Sequence, residues 1–325
     1  MPSTKCFLSS KARSRSAARL TPPARASISR RVHLTVRRAR RRAGKCCATR
    51  KPGQVNNVES YIEADGLKTF YVKAGSGFPV VLFHGAAPGA SAQINWQLNI
   101  EPIAAAGFTV YAYDQPGFGR TDNPTDLSIE YRVTHAKAFI NALKLERFHV
   151  IGNSVGGYIA ARLALEDGRT GKFVTTTSGT LAPKGSAQSQ ELGQRHSEEL
   201  REYVPSLDNM RALTLGTLFR KDLVTEKLVR ERYEMSIGKN YEAQQLRRGV
   251  KPPRAIQDEL RNLKTKTLLL WGSQDRGVSV ERGLLLFQLI PNAEFHLFDQ
   301  CAHWVQWDHA DRFNALVADF LNADR

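Results

Sequence analysis

Gly152-Asn153-Ser154-Val155-Gly156-Gly157 puts a serine in a Gly-x-Ser-x-Gly frame between two runs of different character. The preceding run, residues 148–151, reads as a short buried strand, whereas residues 158–165 read as a helix. A sharp turn from strand into helix forces the serine into strained backbone geometry, and only residues without side chains leave room for close packing around it. The pattern therefore predicts a nucleophile elbow with Ser154 at its tip.

The length and composition allow one globular domain with an insertion. Of the 325 residues, 42% are hydrophobic and 24% are charged, as is ordinary for a globular protein. The net charge of +16 arises in residues 1–58, which hold 16 Lys and Arg and no Asp or Glu. The other 31 basic residues are matched by 31 acidic residues, so the folded part is formally neutral. We therefore expect no nucleic-acid binding across a basic face.

The basic segment, residues 1–58, lacks the apolar periodicity of a core and is predicted to be a disordered extension. Three interpretations remain open: an organellar transit peptide, a functional basic arm, or translation that begins further along the chain, since no Met follows Met1 before Met210. Residues 29–31 hint at a twin-arginine signal, but further arginines replace the apolar stretch that it requires. We expect a cytoplasmic protein, or an organellar one if the extension is a real transit peptide.

The cysteine content and the hydropathy exclude other classes. Three of the four cysteines lie in the basic segment, which leaves Cys301 alone in the folded part and allows no disulfide framework there. No Cys or His spacing is typical of a metal site, and no run of about 18 apolar residues could form a transmembrane helix. We expect a reducing compartment, no metal and no cofactor.

Strand-like and helix-like runs alternate from residue 59 onward. The strand-like runs are mostly short, continuous and apolar, as in strands that are covered on both faces. They are residues 69–73, 80–83, 109–113, 148–151, 173–176, 267–271 and 294–298. Alternation with helical patterns such as residues 132–143 predicts an α/β fold with a mainly parallel, doubly wound sheet.

The alternation stops between residues 178 and 263, where the chain is polar and no strand-like run occurs. The candidate helices in this stretch are residues 197–203, 207–218 and 225–236. We interpret residues 178–263 as a helical lid inserted into a core made of residues 59–177 and 264–325.

Two residues later in the chain complete a catalytic triad with Ser154. A serine hydroxyl needs a base, and the base needs an orienting carboxylate. Asp275 follows the predicted strand at 267–271, and His303 follows the one at 294–298. The chain order nucleophile, acid and histidine, each after a predicted strand, is that of the α/β-hydrolase arrangement. The carboxyl edge of such a sheet is where ligands bind.

Other histidines are less well placed for the role of base. His84 ends an early strand, His296 lies inside a strand, and His309 is predicted to lie in the final helix.

The oxyanion formed by attack on a carbonyl needs two backbone N–H donors. We expect these donors at Val155, after the nucleophile, and at Ala86, in the loop after the early strand.

Several motifs resemble those of one family, the meta-cleavage product hydrolases, which hydrolyse carbon–carbon bonds in aromatic catabolism. The motifs are His84-Gly85-x-x-Pro88-Gly89-Ala90, Asn95-Trp96, Asp114-Gln115-Pro116-Gly117-Phe118-Gly119, Gly152-Asn153-Ser154, Cys301-Ala302-His303-Trp304-Val305-Gln306-Trp307 and His309-Ala310-Asp311. The resemblance runs from about residue 59 to the C-terminus. It implies an α/β-hydrolase fold, a small-molecule 2-hydroxy-6-oxo-2,4-dienoate substrate, and a homo-oligomer.

The resemblance also implies roles for four residues. Arg232 aligns with the arginine that binds the substrate carboxylate, and an arginine fork suits that group. Asn153 and Trp304 would hold the carboxylate and 2-oxo end, and Asn95 the dienol region. The chain departs from the family at residues 86–87 and at Ala302, where glycines are usual; added methyl groups there affect the oxyanion geometry more than the triad.

Three alternatives remain open. A carboxylesterase on the same fold would share the triad and the oxyanion hole but would not need Arg232. A slow ligand-binding receptor, or a nucleic-acid binder that uses the basic segment, belongs to a different class; the intact triad argues against the former and the neutral body against the latter.

Overall fold

A mixed sheet forms the centre of the computed structural model, which describes residues 32–33 and 57–323. Its strands are β1 (Val32–His33), β2 (Val58–Ala64), β3 (Leu67–Ala74), β4 (Phe78–Phe83), β5 (Phe108–Tyr113), β6 (Phe148–Asn153), β7 (Thr170–Thr176), β8 (Lys266–Gly272) and β9 (Ala293–Phe298). They lie in the order β1-β9-β8-β7-β6-β4-β5-β3-β2. Neighbours pair in parallel except β2 with β3 and β3 with β5. The predicted mainly parallel sheet is confirmed.

All seven strand-like runs are strands, with ends within three residues of those predicted. No strand-like run was identified in the sequence at β2. This strand is at the edge of the sheet, hydrogen-bonded to β3, and only Ala64 in it is buried. An edge strand that is exposed over most of its length has no continuous apolar run, so a search for buried strands passes over it.

Helices cover both faces of the sheet. Outside the stretch between β7 and β8, they are α1 (Ala92–Trp96), α2 (Ile100–Ala105), α3 (Ile129–Ala142), α4 (Val155–Glu166), α10 (Val280–Leu289), α11 (Val305–Asp308) and α12 (Ala310–Asn322). Successive side chains of β4 alternate between two cores: Val81 packs with residues of α3 and α10, whereas Val80 packs with residues of α2 and α12. The sheet is therefore doubly wound, as predicted.

Between β7 and β8 the regular secondary structure is entirely helical. They are α5 (Ala187–Glu202), α6 (Leu207–Thr217), a 3₁₀ turn at Lys221–Leu223, α7 (Glu226–Glu234), α8 (Lys239–Arg247) and α9 (Gln257–Leu260). The sequence prediction found α6 and α7, shortened α5 to its last turns and missed α8 and α9. Within α5 the one buried residue is Ser189, so this helix has no apolar stripe that periodicity could detect.

Three further sequence predictions concern the basic extension, the position of His309 and membrane-spanning helices. Most of the predicted basic extension lies outside the described residues; Val32 within it pairs with Phe295 of β9. His309 precedes α12 and is not inside the final helix, which corrects the sequence prediction. No helix in the described ranges is long and apolar enough to cross a membrane.

Candidate active site

Ser154 occupies a sharp turn between β6 and α4. Its φ of 54° and ψ of −120° fall in a region that non-glycine residues rarely adopt. A Cβ at Gly152 would lie 2.2 Å from the carbonyl oxygen of Gly156, and one at Gly156 would lie 2.1 Å from that of Phe83. The glycines of the motif are thus required by close backbone approach, and the strand-turn-helix geometry predicted for the elbow is present.

His303, which is partly buried, and Asp275, which is buried, form a pair next to this turn. Nδ1 of His303 lies 2.7 Å from Oδ2 of Asp275, while Oδ1 accepts the backbone N–H groups of Gly277 and Val278 at 2.7 and 2.9 Å. Burial by itself raises the pKa of Asp275, but the charge and hydrogen bond of His303 and the two N–H donors outweigh it and hold the pKa below its ordinary value. The carboxylate therefore stays ionised and fixes the imidazole, which leaves Nε2 to accept a proton.

Ser154 and His303 line one cavity of about 880 Å³. The predicted site residues that line it are Ala86, Asn95, Asn153, Ser154, Val155, His303 and Trp304. Asp275 is bonded to the His303 ring and is itself buried. The structure thus brings together eight of the nine residues singled out in the sequence, and a cavity of this size accommodates a small organic molecule.

The ninth, Arg232, does not line the cavity but lies behind Trp304. Its guanidinium is 4.8 Å from the centre of the Trp304 ring and donates to Oγ1 of Thr214 at 3.0 Å and to the Pro88 carbonyl at 3.2 Å. The side chain is fully buried, its Nε has no hydrogen-bond partner, and no carboxylate in the described part of the chain pairs with it. Burial lowers its pKa to about 10, so the cation persists at neutral pH and can attract an anion.

Two buried asparagines lie on the cavity wall beside Ser154. Nδ2 of Asn95 donates to Oδ1 of Asn153 at 3.2 Å, and Nδ2 of Asn153 donates to Oγ1 of Thr176 at 2.8 Å. Oδ1 of Asn95 has no partner among the described residues. A buried acceptor without a donor is costly, so this oxygen is suited to a hydroxyl group of a bound molecule.

The loop after β4 approaches the nucleophile closely. A Cβ at Gly85 would lie 3.3 Å from Cβ of Ser154, and the next residue, Ala86, lines the cavity. Val155 is the first residue of α4, so its N–H has no intrahelical acceptor. Both residues predicted to supply the oxyanion hole therefore border the cavity, and Ala86 has no positive φ that would demand glycine.

His84 fixes this loop and is not available as a base. Its Nε2 accepts the Gln115 backbone N–H at 2.9 Å, and its Nδ1 donates to the Gly85 carbonyl at 2.6 Å. The ring is completely buried, which lowers its pKa to about 3. It is therefore neutral, and the sequence-based choice of His303 over His84 agrees with this environment.

His196, on α5, was not singled out in the sequence. Its ring centre lies 6.0 Å from that of His303, and burial lowers its pKa. A Cβ at Gly277 would lie 2.4 Å from its ring, so the glycine two residues after Asp275 makes room for it. No sequence signal links α5 to the triad, because this contact depends on the tertiary packing of a polar helix.

Asp308 is another residue that the sequence search missed. Its buried carboxylate accepts the backbone N–H groups of Phe219 and Arg220, at the end of α6, and of Ala302, next to the histidine, at 2.8 to 3.1 Å. The N–H of His303 in turn donates to the Thr217 carbonyl at 3.1 Å. Asp308 therefore joins the helices between β7 and β8 to the loop that carries His303.

We expect Asp308→Ala to lower the free energy of unfolding by about 3 kcal/mol, because one buried and two partly buried N–H donors lose a charged acceptor. Urea unfolding followed by circular dichroism measures the change. Asp311→Ala is the matched control, since Asp311 is exposed on α12, and it should shift stability by less than about 0.5 kcal/mol. Equal stability of the two variants would show that Asp308 does not hold the loop.

Comparison with known proteins adds independent information. A family model described as the alpha/beta hydrolase fold matches residues 79–310. The chain is 34% identical over 265 residues to the 2-hydroxy-6-oxononadienedioate/2-hydroxy-6-oxononatrienedioate hydrolase 1 of Dechloromonas aromatica, covering 78% of this chain and 91% of that protein. It is also 34% identical over 277 residues to the 2-hydroxy-6-oxo-6-phenylhexa-2,4-dienoate hydrolase of Burkholderia cepacia, covering 80% and 94%.

A solved structure agrees with these relatives. The meta-cleavage product hydrolase of Pseudomonas fluorescens superposes with a TM-score of 0.74 at 32% identity, covering 82% of this chain and 98% of that one.

Within residues 32–33 and 57–323, no group of His, Cys, Asp or Glu is arranged to hold a metal ion.

Proposed function

The chain belongs to the α/β-hydrolase fold family and, within it, to the meta-cleavage product hydrolases, and we propose that it cleaves 2-hydroxy-6-oxo-2,4-dienoates with Ser154, Asp275 and His303. Its relatives are carbon–carbon bond hydrolases of aromatic degradation. The observation that carries the assignment of roles is that His303, which is hydrogen-bonded to Asp275, lines the same cavity as Ser154.

Cleaving a carbon–carbon bond requires a place for its electrons. In these substrates the dienol first takes up a proton at carbon and becomes a ketone. Addition of an oxygen nucleophile to the distal carbonyl then gives a tetrahedral oxyanion, and its collapse breaks the carbon–carbon bond and releases a stabilised dienolate. If water attacks, the other fragment leaves directly as the carboxylic acid; if a serine attacks, that fragment remains as an ester of the serine until a water hydrolyses it to the acid. The net reaction consumes one water and yields the acid and a 2-hydroxypentadienoate, so no redox partner is needed.

The residues on the cavity wall suit these steps. His303 would transfer protons through Nε2, and Ser154 would either attack the ketone or hold the attacking water. The N–H groups of Ala86 and Val155 would stabilise the oxyanion. Asn95 has an unpaired buried Oδ1, and we assign it to the dienol hydroxyl, with Asn153 and Trp304 at the adjoining carboxylate and 2-oxo end.

We assign the substrate carboxylate to Arg232. This buried cation stacks on Trp304 and has no carboxylate partner in the described part of the chain. It lies one side chain away from the cavity, so contact with a carboxylate needs a small movement of Trp304 or Arg232. A buried charge without a counter-ion is costly, and a substrate anion would provide one.

Exchange of Arg232 for methionine is expected to lower kcat/KM for dienoates about 30- to 100-fold, mostly through KM, because a charge-assisted hydrogen bond contributes about 2–3 kcal/mol. Turnover of an uncharged aryl ester should change less than about threefold. Arg230→Met, an exposed arginine of the same helix, is the matched control. If Arg232→Met lowers the turnover of the ester and of the dienoate equally, Arg232 has a structural role. That result would favour the carboxylesterase alternative.

The proposal is tested by mixing the protein with 6-methyl and 6-phenyl 2-hydroxy-6-oxodienoates and following the loss of dienolate absorbance. Rapid loss with either substrate supports it, whereas ester turnover without dienoate cleavage would contradict it. We further propose that the protein is a cytoplasmic enzyme that acts on a small molecule and not on nucleic acid. A homo-oligomer is the expected assembly.

A further inference from the structure

A second cation borders the cavity, and neither the triad nor the carboxylate site uses it. Arg282 lies in the first turn of α10 and lines the cavity. Its Nε donates to the Pro183 carbonyl at 2.7 Å, and its Nη2 donates to the carbonyls of Gly179 and Ala182 at 2.5 and 3.1 Å. These contacts use three of the five guanidinium donors. Both donors of Nη1 have no hydrogen-bond partner among residues 57–323.

Two glycines leave Nη1 uncovered. A Cβ at Gly179 would lie 3.4 Å from Nη1, and a Cβ at Gly193 would lie 3.5 Å from it. Both glycines also line the cavity. Neither position therefore places a side chain over this end of Arg282, and a bound molecule can approach Nη1 from the cavity.

The charge of Arg282 is not neutralised by an ion pair in the described part of the chain. Asp275 is engaged by His303, and the exposed Glu281 accepts hydrogen bonds from Ser186 and Ser189. Carbonyl groups orient the guanidinium but carry no net charge. Lys184 and Arg254 also line the cavity, but both are exposed, and Arg254 pairs with Glu166 and Glu259. Arg282 is thus the half-buried cation there that remains free to bind an anion.

Arg282 and Arg232 lie on opposite sides of the nucleophile. Arg232 contacts the loop after β4 through the Pro88 carbonyl, whereas Arg282 contacts residues 179–183, after β7. In the sheet, β6 lies between β4 and β7, and Ser154 follows β6. A substrate with its C1 carboxylate towards Arg232 and its ketone at Ser154 would direct its distal group towards Arg282.

We propose that Arg282 binds a carboxylate at the far end of the substrate, so that the preferred substrates are dicarboxylates with a carboxyalkyl group on the distal ketone. This inference rests on the proposed function. It makes Arg282 a specificity-determining residue that acts on the substituent and not on the reacting atoms.

The test compares two dienoates of nearly equal size, one with a carboxyethyl and one with a propyl group on the distal ketone. For the wild type, we expect kcat/KM to favour the carboxyethyl substrate about 10- to 100-fold, as expected for a hydrogen bond between charged groups. Arg282→Gln should abolish this preference and change propyl cleavage less than about threefold. Lys184→Met removes an exposed cation from the same cavity and should keep most of the preference.

Each other result has a definite meaning. A wild type that cleaves both substrates without preference would overturn the role of Arg282 and leave the proposed function intact. Equal losses on both substrates in Arg282→Gln would show that the residue only holds residues 179–183. Cleavage of neither substrate by the wild type would contradict the proposed function itself.

Product inhibition of the wild type gives a test that does not depend on a folded variant. The acid released from the carboxyethyl substrate is succinate, and the acid from the propyl substrate is butyrate. We expect succinate to inhibit cleavage of the propyl substrate at least about tenfold more strongly than butyrate. Equal inhibition by the two acids would overturn the proposal.

Discussion

Replacing Ser154 with alanine is expected to lower kcat/KM for dienoate cleavage by about 10⁴-fold or more, as in other serine hydrolases that lose the nucleophile. The hydroxyl is the one group of the elbow that can attack the ketone or hold the attacking water. Alanine keeps the backbone turn at φ 54°, so the fold and the cavity should persist. Stopped-flow measurement of dienolate loss gives the rate, and circular dichroism checks the fold.

Ser197→Ala provides the matched control for this experiment. Ser197 is an exposed serine of α5 that lines the same cavity, and its loss should change kcat/KM less than about threefold. If Ser154→Ala retained activity within tenfold of the wild type, the assignment of Ser154 would be wrong, and another group or a free water would have to perform the attack.

The second large effect is expected for Asp275→Asn, which should lower kcat about 10⁴-fold. Oδ2 of Asp275 accepts the Nδ1 proton of His303 at 2.7 Å. An amide NH₂ in its place would donate to Nδ1 and leave the proton on Nε2, which is the tautomer that cannot act as a base. Steady-state kinetics with a dienoate at saturation measure the loss.

Asp299→Asn is the corresponding control, because Asp299 follows β9 at the surface and contacts Ser273 and Gln274. It should leave kcat within about threefold of the wild type. Near-wild-type kcat in Asp275→Asn would contradict the triad and would leave the Asp275–His303 pair with a purely structural role.

The sequence allowed the sheet and the triad to be predicted because both depend on local patterns. Strands covered on both faces are continuous, mostly apolar runs, as in β4, β5 and β8. β6, β7 and β9 include polar residues but keep enough apolar residues to be recognised. Ser154, Asp275 and His303 each follow such a strand, and parallel strands bring their carboxyl ends to one edge. The order of the runs was therefore enough to bring three distant residues together.

The helices between β7 and β8 were harder to predict. Their contacts are few and polar on α5, and α8 lacks an apolar stripe that would distinguish it from a loop, with Asn240, Ala243 and Gln244 as its buried residues. Arg232 could be singled out only through the family resemblance. For His196, Asp308 and Arg282 the functional surroundings arise from contacts between residues that are remote in the chain, and no local pattern reports such contacts.

The most direct test of carbon–carbon hydrolysis is product analysis by mass spectrometry after turnover of a 6-substituted 2-hydroxy-6-oxodienoate in water enriched in oxygen-18. We predict equal amounts of a carboxylic acid and 2-hydroxypentadienoate, with one labelled oxygen in the acid and none introduced by cleavage into the other fragment. Recovery of the intact dienoate under conditions in which the protein hydrolyses an aryl ester would contradict this account.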